Sequence, residues 1–215
     1  MKRIVYISIV FIALVVLYFS PIQLPSKLAY PVAFLGLMAL IDHKHMGMLM
    51  ALGLLFSALG DWQGTQGNFL GQMGCFGLAH IAYISYFVSR LKNKVEWKNV
   101  PGYTISTPII LGGLVMMLVV PSVPAGIIRI GVIIYSLLIL MMLSAALLQR
   151  DWLFALGAAL FVCSDFILAW NKFVTPIHYA SWFIMVPYYS AQWLLFYRAT
   201  SVASSVLQKI PHSSQ

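Results

Sequence analysis

The chain has 215 residues, of which 61% are hydrophobic and 8% charged, with 13 Lys+Arg against 5 Asp+Glu and a net charge of +8. A soluble domain carries about 25% charged residues to cover its surface, and this chain has too few to do so. A water-soluble globule, a disordered chain, a collagen-like repeat and a disulfide scaffold are therefore excluded, and an integral membrane protein remains.

A helical span needs about 20 mainly apolar residues. Apolar runs separated by Pro, Gly, Asn or charge occupy 4–20, 28–41, 46–61, 68–89, 103–120, 125–148, 152–170 and 176–197. The expected fold is all-α: a polytopic membrane protein with a bundle of eight transmembrane helices. Strands of a membrane barrel would alternate apolar and polar residues instead of running continuously apolar. The first run follows Lys2 and Arg3 like a signal sequence, yet no small-x-small cleavage signal comes after it, so it reads as a retained helix. The second and third runs are short and flank the loop Asp42-His43-Lys44-His45. Residues 1–200 form one domain and 201–215 a frayed polar tail.

With eight spans both termini share one side. That side holds ten cations: Lys2, Arg3, Lys44, Arg90, Lys92, Lys94, Lys98, Arg150, Arg198 and Lys209. The other holds three, Lys27, Arg129 and Lys172. Positive charge gathers in cytoplasmic loops, so both termini are expected in the cytoplasm. The basic loop 90–98 reads as a topogenic loop near anionic headgroups, with no nucleic-acid partner. Cys75 and Cys163 lie in spans without metal or redox spacing and read as small packing residues.

Three of the five acids have ordinary places: Asp42 and Glu96 in loops, Asp151 at a helix start. Asp61 and Asp165 do not. Asp61 closes the third span and Asp165 interrupts the seventh. Burying an acid at a span's centre costs about 2.5–3.5 kcal/mol on insertion scales, so such residues face the bundle interior or a wet cavity. Both spans run outward, which puts both carboxyl groups in the outer half. Two acids in one desolvated chamber can divide into an acid and a base. His80 and Tyr83 share a face of the fourth span at i, i+3, and the eighth carries Tyr188 and Gln192. Counting inward along these spans makes His80 and Tyr188 the floor of a pocket whose rim bears the aspartates. Asn68 and Asn171 sit at outer span ends, and Arg129 just inside the sixth span either meets a lipid phosphate or snorkels. His80 reads equally as a site group or as a helix–helix hydrogen bond. Only His80, His178 and Asp61 offer ligands in the outer half, so no metal and no cofactor is expected. Gly71, Gly74 and Gly77 recur every third residue and read as a close-packing stripe.

These residues together resemble the lysoplasmalogenase (YhhN-like) family of small eight-span membrane proteins. One stretch of likeness is Leu59-Gly60-Asp61 with Asn68-Phe69-Leu70-Gly71 and Phe76-Gly77-Leu78-Ala79-His80-Ile81-Ala82-Tyr83. Another runs from Gly157 through Ser164-Asp165 to Asn171-Lys172-Phe173, and Tyr188-Tyr189-Ser190-Ala191-Gln192 is a weaker third. The family often opens its second span with Lys-Pro, where this chain has Tyr30-Pro31; Lys27 lies one turn earlier. The resemblance implies an ether hydrolase that cleaves the vinyl ether bond of lysoplasmalogens to a fatty aldehyde and glycerophosphoethanolamine or glycerophosphocholine. Its partners would be a lysophospholipid substrate and the bilayer, in what reads as a bacterial cytoplasmic membrane. Asp165 would act as general acid, Asp61 would stabilise the cation and orient water, and His80 and Tyr188 would position the reactants. The two carboxyl roles are interchangeable at this level. A small proton-coupled transporter, a hydrolase of another lipid, and a non-catalytic assembly factor are the competing classes.

Overall fold

The computed structural model describes residues 2–91 and 100–207, with side chains described to residue 202. All regular structure among them is helical. In chain order the helices are α1 (Lys2–Phe19), α2 (Tyr30–Ile41), α3 (His43–Met46), α4 (Met48–Thr65), α5 (Phe69–Ser89), α6 (Tyr103–Leu118), α7 (Ile127–Leu148), α8 (Trp152–Phe173) and α9 (Ala180–Leu207). A single 3-10 turn, Val120–Ser122, joins α6 to α7.

Each of the eight apolar runs coincides with one long helix, and α3 is one turn wound over the loop at 42–45. Among the described residues, four helices are long and apolar enough to cross a membrane: Lys2–Phe19, the stretch Tyr103–Ser122, Ile127–Leu148 and Trp152–Phe173. The chain is an integral membrane protein on that ground. Helix α2, at 12 residues, is shorter, and α4 loses apolarity where it continues through Asp61-Trp62-Gln63 to Thr65. That continuation changes the place of Asp61, which lies a full turn inside α4 and not at its end. Helix α9 likewise outruns its apolar segment by ten residues at its C-terminal end, reaching Leu207. The basic loop at 92–99, with Glu96, and residues 208–215 lie outside the described residues.

Helices α2, α4, α5, α7, α8 and α9 surround the core, to which α1 adds Ile7 and Phe11; α6 packs outside on α7, and α1 flanks α2. Closeness between α4 and α5 comes from Gly53 and Gly60, whose missing side chains admit the rings of Tyr83 and Phe76. The stripe Gly71, Gly74, Gly77 does not serve this purpose. Gly74 faces open space, Gly77 only approaches Leu138, and Gly71 makes room for the Asn68 amide that caps α5. A three-residue repeat identifies small residues but not the face a neighbour occupies.

At the end holding both termini, Arg3 pairs with Asp42 at 3.3 Å. Asp151 caps α8 through the Leu153 and Phe154 amides and accepts the Arg198 guanidinium at 2.5 Å. This pair ties α9 to the start of α8, and it explains why α9 stays ordered beyond its apolar stretch. Cys75 is half-buried and Cys163 exposed, so Cys163 is not a packing residue. Helix α9 contains Pro187 immediately before Tyr188. The Ser164 hydroxyl donates to the Ile184 carbonyl, one turn back from that proline, at 2.9 Å.

Candidate active site

Of the four described acids, Asp42 and Asp151 have arginine partners. Asp61 and Asp165 are held instead by tyrosines. Each belongs to its own hydrogen-bonded cluster.

The first cluster joins α4, α5 and α9. Asp61 is 2% exposed and accepts the Tyr188 hydroxyl at 2.8 Å. Beside it the Tyr83 hydroxyl donates to Gln192 Oε1 at 2.8 Å. Ser57 and Asp61 stand at i, i+4 on α4, as do Tyr188 and Gln192 on α9, so one face of each helix delivers both groups to the same layer. The five side chains of Ser57, Asp61, Tyr83, Tyr188 and Gln192 are all buried. Ser57 Oγ and Gln192 Nε2 find no partner among the described residues.

The second cluster joins α5, α7 and α8. The Tyr135 hydroxyl donates a very short hydrogen bond to Asp165 Oδ2 and also lies 3.0 Å from His80 Nε2. His80 Nε2 is 3.9 Å from the same carboxylate oxygen. A phenol has one proton to give. With that proton directed to Asp165, His80 Nε2–H is the donor to Tyr135, and Nδ1 carries the lone pair. Nδ1 is buried with no partner among the described residues, consistent with this tautomer in an apolar wall. The result is a directed chain from imidazole through phenol to carboxylate, and Asp165 Oδ1 accepts no hydrogen bond among the described residues.

Two aromatic rings separate the clusters. Phe161 packs on His80 at 4.9 Å and on Tyr188 at 5.4 Å between centroids. Phe76 packs on Phe161 and Tyr188 at 6.1 and 5.8 Å. The two carboxyl groups do not open into one chamber. Asp165, with a side chain 12% exposed, lines a cavity of about 80 Å³ between α5, α6, α7 and α8, from which Asp61 is absent. That cavity is apolar apart from Asp165, Tyr135, Ser136 and Gln72. Gln72 and Leu168 also line a more open hollow of about 480 Å³, together with Ser26, Lys27 and Thr65. The Lys27 ammonium is held there by the Ser20 and Ile22 carbonyls at 2.7 and 2.8 Å.

The expected floor and rim are thus one level: Tyr188 touches Asp61, and His80 adjoins Asp165. Counting residues from span starts fails because α4 continues a full turn beyond Asp61, to Thr65. Tyr83 and His80, although on one face, serve different clusters. Two other expected site residues stand apart from the cavity. Arg129 gives Nε and Nη2 to the Val123 carbonyl at 2.9 and 2.6 Å, fixing the turn before α7. Asn171 accepts the Ile177 amide at 2.7 Å and shapes the turn between α8 and α9. Tyr135 was not among the expected residues, although a phenol within Ile-Gly-Val-Ile-Ile-Tyr-Ser-Leu-Leu is a polar interruption like Asp165. Tyrosine is ordinary in membrane helices, so only its partners mark it.

Comparison with known proteins bears on which chemistry this arrangement belongs to. Lysoplasmalogenase TMEM86A of Bos taurus is 31% identical over 174 residues, covering 74% of this chain and 68% of that protein. Lysoplasmalogenase TMEM86B of Homo sapiens is 32% identical over 155 residues, covering 68% of this chain and 61% of that protein. The human TMEM86A is 29% identical over 160 residues, 67% of this chain and 62% of its own length, so the chain spans under two thirds of both human relatives. No solved structure matches. The YhhN family profile matches residues 22–199, which takes in both tyrosine-held aspartates, and the chain belongs to the YhhN family.

Proposed function

We propose that this protein is a lysoplasmalogenase, hydrolysing the vinyl ether of a lysophospholipid to a fatty aldehyde and a glycerophospho-alcohol. The observation that carries this reading is Asp165: an acid set in an apolar cavity of a membrane protein, backed by a phenol and an imidazole. The family relationship to proteins named lysoplasmalogenase points the same way.

A vinyl ether is cleaved by protonation of its β-carbon, which leaves an oxocarbenium ion at the carbon bound to oxygen. Water adds to that carbon and loses a proton, and the hemiacetal collapses to aldehyde and alcohol. Overall one water is consumed. The first step needs a carboxylic acid, and the second a carboxylate beside the cation, as in glycoside hydrolysis. Asp165 performs both: it delivers its proton from Oδ1 and, as the carboxylate, accepts one from the attacking water. Tyr135 holds Oδ2 so that Oδ1 faces the cavity, and His80 holds Tyr135. Asp61 lies behind Phe76 and Phe161 and acts on the cation through its field across those rings. Tyr188 fixes its orientation. Tyr83 and Gln192 brace this layer, while Arg129 and Asn171 set the turns of α7 and α8.

Several further features accompany this reading. The eight helices other than α3 cross the bilayer with both termini in the cytoplasm, a reading that the ten-to-three division of cations supports. Helix α2 is about 18 Å long. Val32, Leu35 and Ala39 within it are fully buried. The outer hollow receives the phosphate headgroup, with Lys27 keeping one ammonium hydrogen available beyond its two carbonyl bonds. Lys27→Met is then expected to raise KM by about 2- to 5-fold with kcat little changed, as for an exposed charge contact. A fall in kcat at constant KM would remove Lys27 from headgroup binding.

The test of the function is aldehyde release by purified protein from a synthetic lysoplasmalogen, measured with a coupled dehydrogenase. The ester-linked lysophospholipid of the same chain length serves as control. Release from the vinyl ether alone supports the reading. Absence of aldehyde from a monodisperse preparation overturns it.

A further inference from the structure

The cavity at Asp165 does not end there. Helices α6 and α8 both pack on α7 and leave an apolar groove of about 310 Å³ between themselves. Its α8 wall is Ala155, Ala159, Val162, Cys163 and Phe166, a stripe of i, i+4 and i+7 positions whose members nearest the terminus-bearing face are small. Its α6 wall follows the same spacing through Thr107, Leu111, Leu114 and Val115. Val115, Val162 and Phe166 line both this groove and the Asp165 cavity, so the two adjoin across these three side chains.

We infer that this groove binds the hydrocarbon chain of the lysolipid, and that the small side chains Ala155, Ala159 and Cys163 determine which chain lengths are accepted. The inference rests on the hydrolase reading and adds to it the place of the tail. From Asp165 to Ala155 is ten residues of helix, or about 15 Å along the axis. A headgroup in the outer hollow puts the vinyl ether against Asp165 and the rest of the chain beyond Val162, between α6 and α8. The groove offers no hydrogen bond a polar chain would need, apart from the Thr107 hydroxyl. Lipid tails gain little by exchanging bilayer for apolar protein. Chain selection therefore comes from where the groove stops and not from burial per methylene.

Two measurements test this. The first uses a non-hydrolysable alkyl-ether lysophosphatidylethanolamine with a diazirine at its chain end. After photolysis, adducts are expected within 107–115 and 155–163, diminished by unlabelled lysolipid. Adducts instead along the groove between α1 and α9, at Ile12, Val16, Val186 or Trp193, or adducts spread without competition, overturn the inference. The second measurement is kcat/KM across a chain-length series for Ala159→Trp and, as a milder obstruction, Ala159→Leu. Long-chain substrates should lose roughly tenfold or more while short-chain ones are spared. An equal loss at every length overturns it, with size-exclusion profiles excluding misfolding. Competed adducts in the groove without aldehyde release by the wild type would sink the hydrolase and keep the lipid groove. Aldehyde release with adducts elsewhere would do the reverse.

Discussion

Asp165→Asn is expected to lower aldehyde release by on the order of 10²–10⁴-fold, the share of rate that a positioned general acid supplies. The amide keeps the shape of the carboxyl group and still accepts the Tyr135 hydroxyl through its oxygen, so the fold should survive. It cannot give a proton to carbon, and it cannot take one from water. Because α8 delivers this side chain to an apolar cavity, no other described carboxyl group stands ready to replace it. Asp61→Asn is the contrasting variant. Asp61 has no surface on that cavity, so its loss should be much smaller and confined to the stabilisation of charge. Measurement of kcat on both variants, with thermal unfolding to verify folding, separates the two acids. An Asp165→Asn protein with near wild-type turnover would remove Asp165 from the chemistry; loss of equal size in both would restore a shared acid pair.

The division between these two acids shows what a single membrane sequence conveys. Apolar length is dictated by the bilayer, so all eight long helices stand at the runs where Ile, Leu, Val, Phe and Met accumulate. Their ends are set by other forces. The Arg198–Asp151 pair anchors α9 to the start of α8, and α4 continues past Asp61 through Trp62 and Thr65, which are exposed. Asp61, His80 and Asp165 stand out in the sequence because desolvating them is costly. Which groups answer that cost is a matter of rotation and distance between helices, and neither is written in one chain. Tyr188 beside Asp61, Tyr135 between His80 and Asp165, and the Phe76–Phe161 partition all arise from helix pairs far apart in sequence. The glycines make the same point. Gly71, Gly74 and Gly77 are conspicuous by period, while Gly53 and Gly60, two turns apart on one face of α4, are those that α5 packs against.

Tyr135→Phe is expected to cost roughly 10- to 150-fold in kcat, the equivalent of the 1.5–3 kcal/mol carried by a hydrogen bond to a charged group. The change removes one oxygen from the second cluster. It leaves Asp165 Oδ2 without its donor at the moment the carboxylate forms, and it leaves His80 Nε2–H without an acceptor in a buried wall. The carboxyl group can then rotate, and Oδ1 is no longer held toward the cavity. A purely structural tyrosine would alter stability and leave the chemical step alone. A tyrosine that holds the acid instead lowers kcat while KM stays within about twofold, because the substrate's headgroup and chain bind elsewhere. Replacing His80 with Gln in the Tyr135→Phe background should then add little, since the chain from imidazole to carboxylate is already broken; groups that act as one unit are not additive. Steady-state kinetics of the two single variants and the double variant decide it. Independent, multiplying losses would mean that His80 and Tyr135 do not work through one another.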